Sequence, residues 1–180
     1  MRRLPFIIFA ILVYVLGTML LNPSAQRGGQ NGPTNTPLPA MTVRALNGTE
    51  LWNAQSLQGR VTLINFFASW CNPCAAEMPE LGALKKQFPK LNMQGIAWND
   101  SPKTLNGWLI EHHNPFDKTW LDETGDATIA LGIRGIPETL IVDKKGMVRY
   151  RLSGGLTPAL RASAVDALIT SLLNEPDHAS

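Results

Sequence analysis

The chain is poor in the residues that build covalent or metal-based scaffolds: its 180 residues include only two cysteines and three histidines. Two cysteines cannot form a disulfide-dense framework, nor complete a four-cysteine zinc site. The histidines at positions 112, 113 and 178 have no spacing that would supply the missing ligands. Charge is also scarce, at 17% with a net value of +2, too small for a general nucleic-acid binder. With 44% hydrophobic residues the chain lies outside the disordered, collagen-like and highly charged classes, so it is expected to fold. Internal repeats are absent, and no apolar run beyond residue 21 is long enough to span a bilayer. The cysteines therefore form one static disulfide or one reactive pair, or stand as two bystanders.

The apolar residues are concentrated at the N-terminus. The eighteen positions Leu4 to Leu21 carry no charge and follow directly on Arg2 and Arg3. As a helix this run would cover about 27 Å, close to the thickness of a hydrocarbon core. It exceeds the apolar region of a signal peptide, and Pro23-Ser24-Ala25 is a poor cleavage site. This favours residues 1–21 as an uncleaved anchor over a cleaved signal, and either would export the rest of the chain. The positive-inside rule puts the N-terminus in the cytoplasm. Residues 22–39 are rich in Asn, Gly, Pro, Gln, Ser and Thr and read as a flexible linker. The folded domain is expected over 40–174, with a frayed tail at 175–180.

Within the domain, Met41–Leu46 with Asn47-Gly48 reads as a strand and turn. Val61–Ala68 is a nearly continuous apolar and β-branched run, as in a strand buried on both faces. Cys74–Phe88 is rich in helix formers but contains Pro79, which should kink it. Leu91–Trp98 reads as a second buried strand. Ser101-Pro102 supplies an N-cap and first-turn proline for a helix towards His112. A short helix is expected at Gly125–Leu131, then strands Glu138–Val142 and Met147–Leu152 joined closely enough for a hairpin. Thr157-Pro158 opens a last helix with apolar positions at helical spacing. This order predicts an α/β domain with a central mixed β-sheet covered by helices.

The chemistry-bearing segment is Trp70-Cys71-Asn72-Pro73-Cys74, where a buried strand gives way to a helix. Cysteines three apart in a first helical turn can close a small ring with little backbone movement. At the helix start, unpaired N–H groups and the helix dipole stabilise a Cys71 thiolate, while Cys74 lies a turn inside and is better hidden. Cys71 is therefore the expected nucleophile and Cys74 the resolving thiol. A static disulfide over so short a loop would stabilise little.

Around this motif VTLINFFASWCNPCAAEMPEL resembles the strand, active site and first helix of the thioredoxin-like superfamily. GIPET, at 135–139, resembles that family's cis-proline loop. The segments GIAWNDSPKTLNGWLIEHHNPF and LGIRGIPETLIVDKKGMVRYRLSGGLTP, with the N-terminal anchor, are most similar to the DsbE/CcmG family of cytochrome c maturation oxidoreductases. The resemblance implies a thioredoxin-like fold, a cis Ile136-Pro137 bond, and an Ile136 backbone offered to an extended substrate. It implies a redox-active Cys71–Cys74 disulfide with no further cofactor and no metal. The implied clients are apocytochrome c or cytochrome c maturation proteins, the electron donor a DsbD/CcdA-type membrane protein, and the location the periplasmic side of the bacterial inner membrane. Phe67, where tryptophan is common, and Ala75-Ala76, in place of a stretch often carrying a basic residue, bear only on partner preference.

Asn65 stands where thioredoxin has a buried acid, and an amide cannot take up a proton at neutral pH. Glu77, one turn beyond Cys74, is a candidate for that role; the alternative is a solvated glutamate near a helix N-terminus. Glu138 resembles the family's acidic residue near the disulfide, and its charge would disfavour thiolate formation or select a partner; otherwise it is an exposed strand-end carboxylate. Trp70 would present an apolar edge beside the nucleophile, or simply pack. Rival readings are a reductase for other exported clients, an oxidant, and a non-catalytic maturation scaffold.

Overall fold

The computed structural model describes residues 31–176 together with Ile11 and Tyr14. The remainder of the segment read as an anchor lies outside the described residues, and among the described residues no helix is long and apolar enough to cross a membrane. Seven strands form one sheet: β1 (Gly32–Pro37), β2 (Arg44–Ala45), β3 (Thr62–Phe67), β4 (Asn92–Trp98), β5 (Lys118–Asp122), β6 (Glu138–Val142) and β7 (Met147–Ser153), in the order β1-β7-β6-β3-β4-β5-β2. β3, β4 and β5 are parallel; β6 pairs antiparallel with β3, and β7 with β6. The predicted mixed sheet is thus present.

The helices are α1 (Asn72–Gln87), α2 (Pro102–Glu111), α3 (Asp126–Ala130), α4 (Pro158–Leu160) and α5 (Asp166–Asn174), the last two joined through a π-helical segment, Arg161–Val165. A short 3₁₀ segment, Ala54–Leu57, precedes β3. Ser101 and Thr157 cap their helices as expected, each hydroxyl accepting an N–H at 3.2 Å. α1 continues through Pro79, whose missing N–H leaves the Ala75 carbonyl without its helical partner.

All six residues of β3 are buried, and the pleat divides them between two cores. Leu63 and Phe67 pack with Leu81 and Leu84 of α1, Leu105 and Leu109 of α2, and Ile169 of α5. Ile64 and Phe66 pack on the opposite face with Ile96, Trp120, Leu140, Trp52 and Leu131. The alternation directs Asn65 to the α1 side, where it is fully buried.

Three boundaries differ from the sequence reading. Residues 32–37, placed in the flexible linker of 22–39, instead form β1, paired antiparallel with β7, so the folded unit begins before residue 40. Pro33 and Pro37 are tolerated because an edge strand needs ladder bonds on one side only. Lys118–Asp122 was not foreseen as a strand; it lies between β4 and β2. Glu175, placed in the frayed tail, is tied down: its carbonyl accepts from Lys144 Nζ at 2.7 Å, and its carboxylate lies 3.5 Å from Arg149 Nη1.

Candidate functional site

The register places the chemistry at one end of the sheet. Phe66 of β3 is opposite Glu138 of β6, and Glu138 is opposite Ser153 of β7. The segment leaving β3 into α1, the loop entering β6 and the loop leaving β7 therefore lie at the same end.

At the first of these, Cys71 is the N-cap of α1 and is joined to Cys74 by a disulfide, with the Cα atoms 5.3 Å apart. The Cys74 N–H, in the first turn of the helix, is shared between Cys71 Sγ at 3.2 Å and the Cys71 carbonyl at 3.1 Å. On reduction the same donor and the helix dipole favour negative charge on Cys71. Both cysteines are buried, Cys71 at 5% exposure and Cys74 at 0%, so Cys71 is the sulfur nearer the surface.

The turn before Cys71 is held from the other side of the β3–β4 pair. Asp100, just before the Ser101 cap of α2, accepts from Ser69 N–H (2.6 Å), Ser69 Oγ (3.0 Å) and Ser101 N–H (2.8 Å). Trp70 Nε1 donates to the carbonyl of Asn99 at 3.1 Å, and its ring lies 6.1 Å from that of Trp98. Asn99 adopts a left-handed conformation, φ 48°, a region tolerated by asparagine. Trp70 stays 56% exposed, so its ring forms an apolar surface next to Cys71 rather than core.

Glu77 is not solvated. It is 2% exposed, and both carboxylate oxygens are bonded: Oε1 accepts from Asn65 Nδ2 at 2.9 Å, and Oε2 from Leu156 N–H at 2.7 Å. Burial raises its pKa to about 7, outweighing the two hydrogen bonds that favour the charged form. The Asn65 amide also donates to Thr139 Oγ1 at 3.1 Å, and its own carbonyl oxygen is buried with no hydrogen-bond partner among the described residues. One turn from Cys74 on the same helix, Glu77 can exchange a proton near neutral pH.

The Ile136-Pro137 bond is cis. Ile136 is half-buried against both cores, Pro137 is buried, and its carbonyl accepts from Gly154 N–H at 2.9 Å. Glu138 is 2% exposed, which excludes an exposed strand-end carboxylate, and it accepts from Arg151 Nη1 at 2.5 Å. Burial pushes its carboxyl above the usual range, against the opposing pull of Arg151. Arg151 also donates to the carbonyl of Leu131 at 2.6 Å and, more weakly, to that of Gly132 at 3.4 Å, fastening the chain ahead of the cis-proline loop.

The fold thus brings Trp70, Cys71, Cys74, Glu77, Ile136, Pro137 and Glu138 to one end of the sheet. Asp100, Thr139 and Arg151 join them and were not foreseen. The capping signal at Ser101-Pro102 marks the turn that contains Asp100, and alternation along β7 marks Arg151, but neither reveals its partner. Trp120 is core, stacked edge-on with Trp52 at 5.2 Å, while Trp108 lies over Phe67. Among the described residues no group of three or more His, Cys, Asp or Glu side chains is arranged to hold a metal ion.

A Redoxin family model matches residues 33–169. The chain is 31% identical to the thiol:disulfide interchange protein HelX of Rhodobacter capsulatus, over 78% of this chain and 83% of HelX. It is likewise 31% identical to the thiol:disulfide interchange protein DsbE of Escherichia coli K12, over 88% and 89%, and 30% identical to DsbE of Pseudomonas aeruginosa, over 97% and 95%. In fold it is similar to the crystal structure of a protein from Chlorobium tepidum described as DsbE, with a TM-score of 0.68, 19% identity, and coverage of 81% of this chain and 100% of that one. A secreted Mycobacterium tuberculosis disulfide oxidoreductase gives a TM-score of 0.62 at 20% identity, over 70% and 94%. With its disulfide at a helix N-terminus and these relatives, the chain is a thiol:disulfide oxidoreductase belonging to the thioredoxin-like DsbE/CcmG family.

Proposed function

We propose that the protein is a membrane-anchored periplasmic reductase that opens disulfides in apocytochrome c, or in a protein that holds it during maturation. The observation that carries the exchange chemistry is the Cys71–Cys74 disulfide at the N-terminus of α1 with the buried Glu77 one turn from Cys74, while the reducing direction rests on the similarity to DsbE proteins. The resolving thiol must lose a proton before it can attack, and Glu77 is placed to receive it.

The reaction balances as two thiol–disulfide exchanges. The Cys71 thiolate attacks a client sulfur, forming a mixed disulfide and releasing the client's other sulfur as a thiolate. Cys74, its proton passed to Glu77, then attacks Cys71 Sγ and releases the second client sulfur. Two electrons pass to the client, its thiolates take up two protons, and Cys71–Cys74 is left oxidised. Ile136 offers its backbone to the client in extended form, and Trp70 supplies an apolar wall. A membrane protein of the DsbD/CcdA type restores the dithiol. The reading draws on the similarity to DsbE proteins and on residues 1–21 of the sequence.

Trapping tests it. Cys74→Ala should accumulate a covalent complex between Cys71 and apocytochrome c or a maturation factor, released by dithiothreitol. Recovery of other exported clients alone would refute the cytochrome c assignment. Unimpaired cytochrome c assembly with Cys71→Ser would refute the catalytic role.

A further inference from the structure

The N-terminal strand fixes more than a domain boundary. Gly32 is opposite Arg151 of β7, and Pro37 is opposite Met147, so β1 starts at the end of β7 that reaches Ser153 and Glu138. Asn31 reinforces this placement, its Oδ1 accepting from Ser153 N–H at 2.6 Å. The chain therefore enters the domain at the end of the sheet that carries Cys71 and the cis-proline loop. From β1 to β3 the sheet order counts three strand spacings, about 15 Å. The other terminus is placed oppositely. Glu175 lies against Lys144 in the β6–β7 turn, about 20 Å away along β7.

We infer that the protein presents its active-site end to the membrane, so that Cys71–Cys74 is re-reduced by a protein dithiol held at the membrane surface. The inference rests on the proposed anchoring of residues 1–21 and adds an orientation to it. From Leu21 to Asn31 there are ten residue steps, which cannot exceed about 36 Å by any path. With β1 paired to β7, that limit applies to the active-site end of the domain. A free linker up to residue 39 would have lengthened the reach and let the domain turn either end to the bilayer. In the exchange the membrane dithiol attacks the Cys71–Cys74 disulfide and passes it two electrons. It is left as a disulfide, while Cys71 and Cys74 return to the dithiol state with two protons.

The test moves the attachment point. One variant starts at residue 31 behind a cleavable export signal and carries residues 1–21, reversed in topology by flanking basic residues, after residue 176 with a ten-residue spacer. A second retains the native order with a stiff helical spacer of about 40 Å inserted after residue 30. The redox state of Cys71–Cys74 in cells is read by maleimide gel shift, and reduction by dithiothreitol reports the intact site. Both variants should react with dithiothreitol as the native chain does, yet be re-reduced in cells at least tenfold more slowly. In the first variant, a flexible 30-residue spacer should restore much of the rate. Native-rate re-reduction of either variant would overturn the inference while leaving the anchor standing. Release of the native chain from membranes by alkaline carbonate would overturn the anchor itself, and the inference with it. If the first variant fails the dithiothreitol control, the second decides.

Discussion

The side-chain amide of Asn65 donates to Glu77 Oε1 at 2.9 Å in the core beneath the Cys71–Cys74 disulfide. The pair divides between two residues what one buried acid could do. Asn65 holds the place on β3, and Glu77 brings the titrating group from α1, with Leu156 N–H bonding its other oxygen. A carboxyl in this setting is charged reluctantly, and its pKa of about 7 lets it take or give a proton under ordinary conditions.

The same burial gives stability a particular pH dependence. Below about pH 4.5, Glu77 is protonated in both folded and unfolded chains. As pH rises from there to about 7, the unfolded chain releases this proton while the folded protein keeps it, so the contribution of Glu77 to stability falls. Above that it is constant. The difference corresponds to roughly 3 kcal/mol. Glu77→Gln retains the shape without the proton, so its stability relative to the parent should improve by about that amount between pH 4 and pH 8. Urea unfolding of the two oxidised proteins measures this, and parallel curves would refute the assignment.

Asp100 acts on the active site through Ser69. Asp100→Ala removes three acceptor contacts, two to Ser69 and one to Ser101, and should cost about 1–3 kcal/mol. With the turn loosened, Trp70 should lose its fixed position against Trp98, changing tryptophan emission. Client kcat/KM should fall several-fold while the reduction potential of the cysteine pair stays unchanged. Asp100→Asn, which keeps an acceptor oxygen, should recover part of the loss. A changed potential with normal client kinetics would show that Asp100 acts on the sulfurs rather than on the turn.

These residues also show what was legible in the sequence. Val61–Ala68 could be read as a central strand because it is apolar on both faces, and Cys71-Asn72-Pro73-Cys74 as a helix start because proline and the flanking pattern agree. The role of Glu77 could not be read. Its burial depends on Leu156, 79 positions away, and spacing along α1 fits a solvated carboxylate equally well. β5 was missed because its apolar core is short and bounded by Asp117, Lys118, Asp122 and Glu123. β1 was missed because an edge strand with one partner tolerates the Gly, Pro, Asn and Thr that also make linkers.

Gly95 has a steric reason to be glycine. It is opposite Asn65 in the β3–β4 register, and a Cβ there would lie 2.7 Å from Phe116 and 2.9 Å from Phe67. Both rings are part of the packed core and cannot withdraw at little cost. Gly95→Ala should destabilise the protein by about 1–3 kcal/mol, read as a lower urea midpoint with unchanged slope. An unchanged midpoint would mean that the two rings have room to move.

Arg151 joins the last two strands to the cis-proline loop. It neutralises Glu138 at 2.5 Å and bonds the Leu131 carbonyl ahead of that loop. In Arg151→Met the buried Glu138 carboxylate would lose its nearest charge partner and keep only the weaker pull of Arg134, a loss of up to about 3 kcal/mol if it stays ionised. The carboxyl can escape by taking a proton, and burial already raises its pKa. The destabilisation should therefore be smaller at pH 5 than at pH 8, growing as pH rises through the elevated Glu138 pKa. Adding Glu138→Gln should restore stability at pH 8, because no charge is then left without a partner. It should not restore client binding, since the bond to Leu131 is still missing and the loop proposed to offer the Ile136 backbone is less firmly held. A double variant that regained stability but kept a KM several-fold above that of the parent would separate the two tasks of Arg151. A normal KM would leave Arg151 as an ion-pair partner alone.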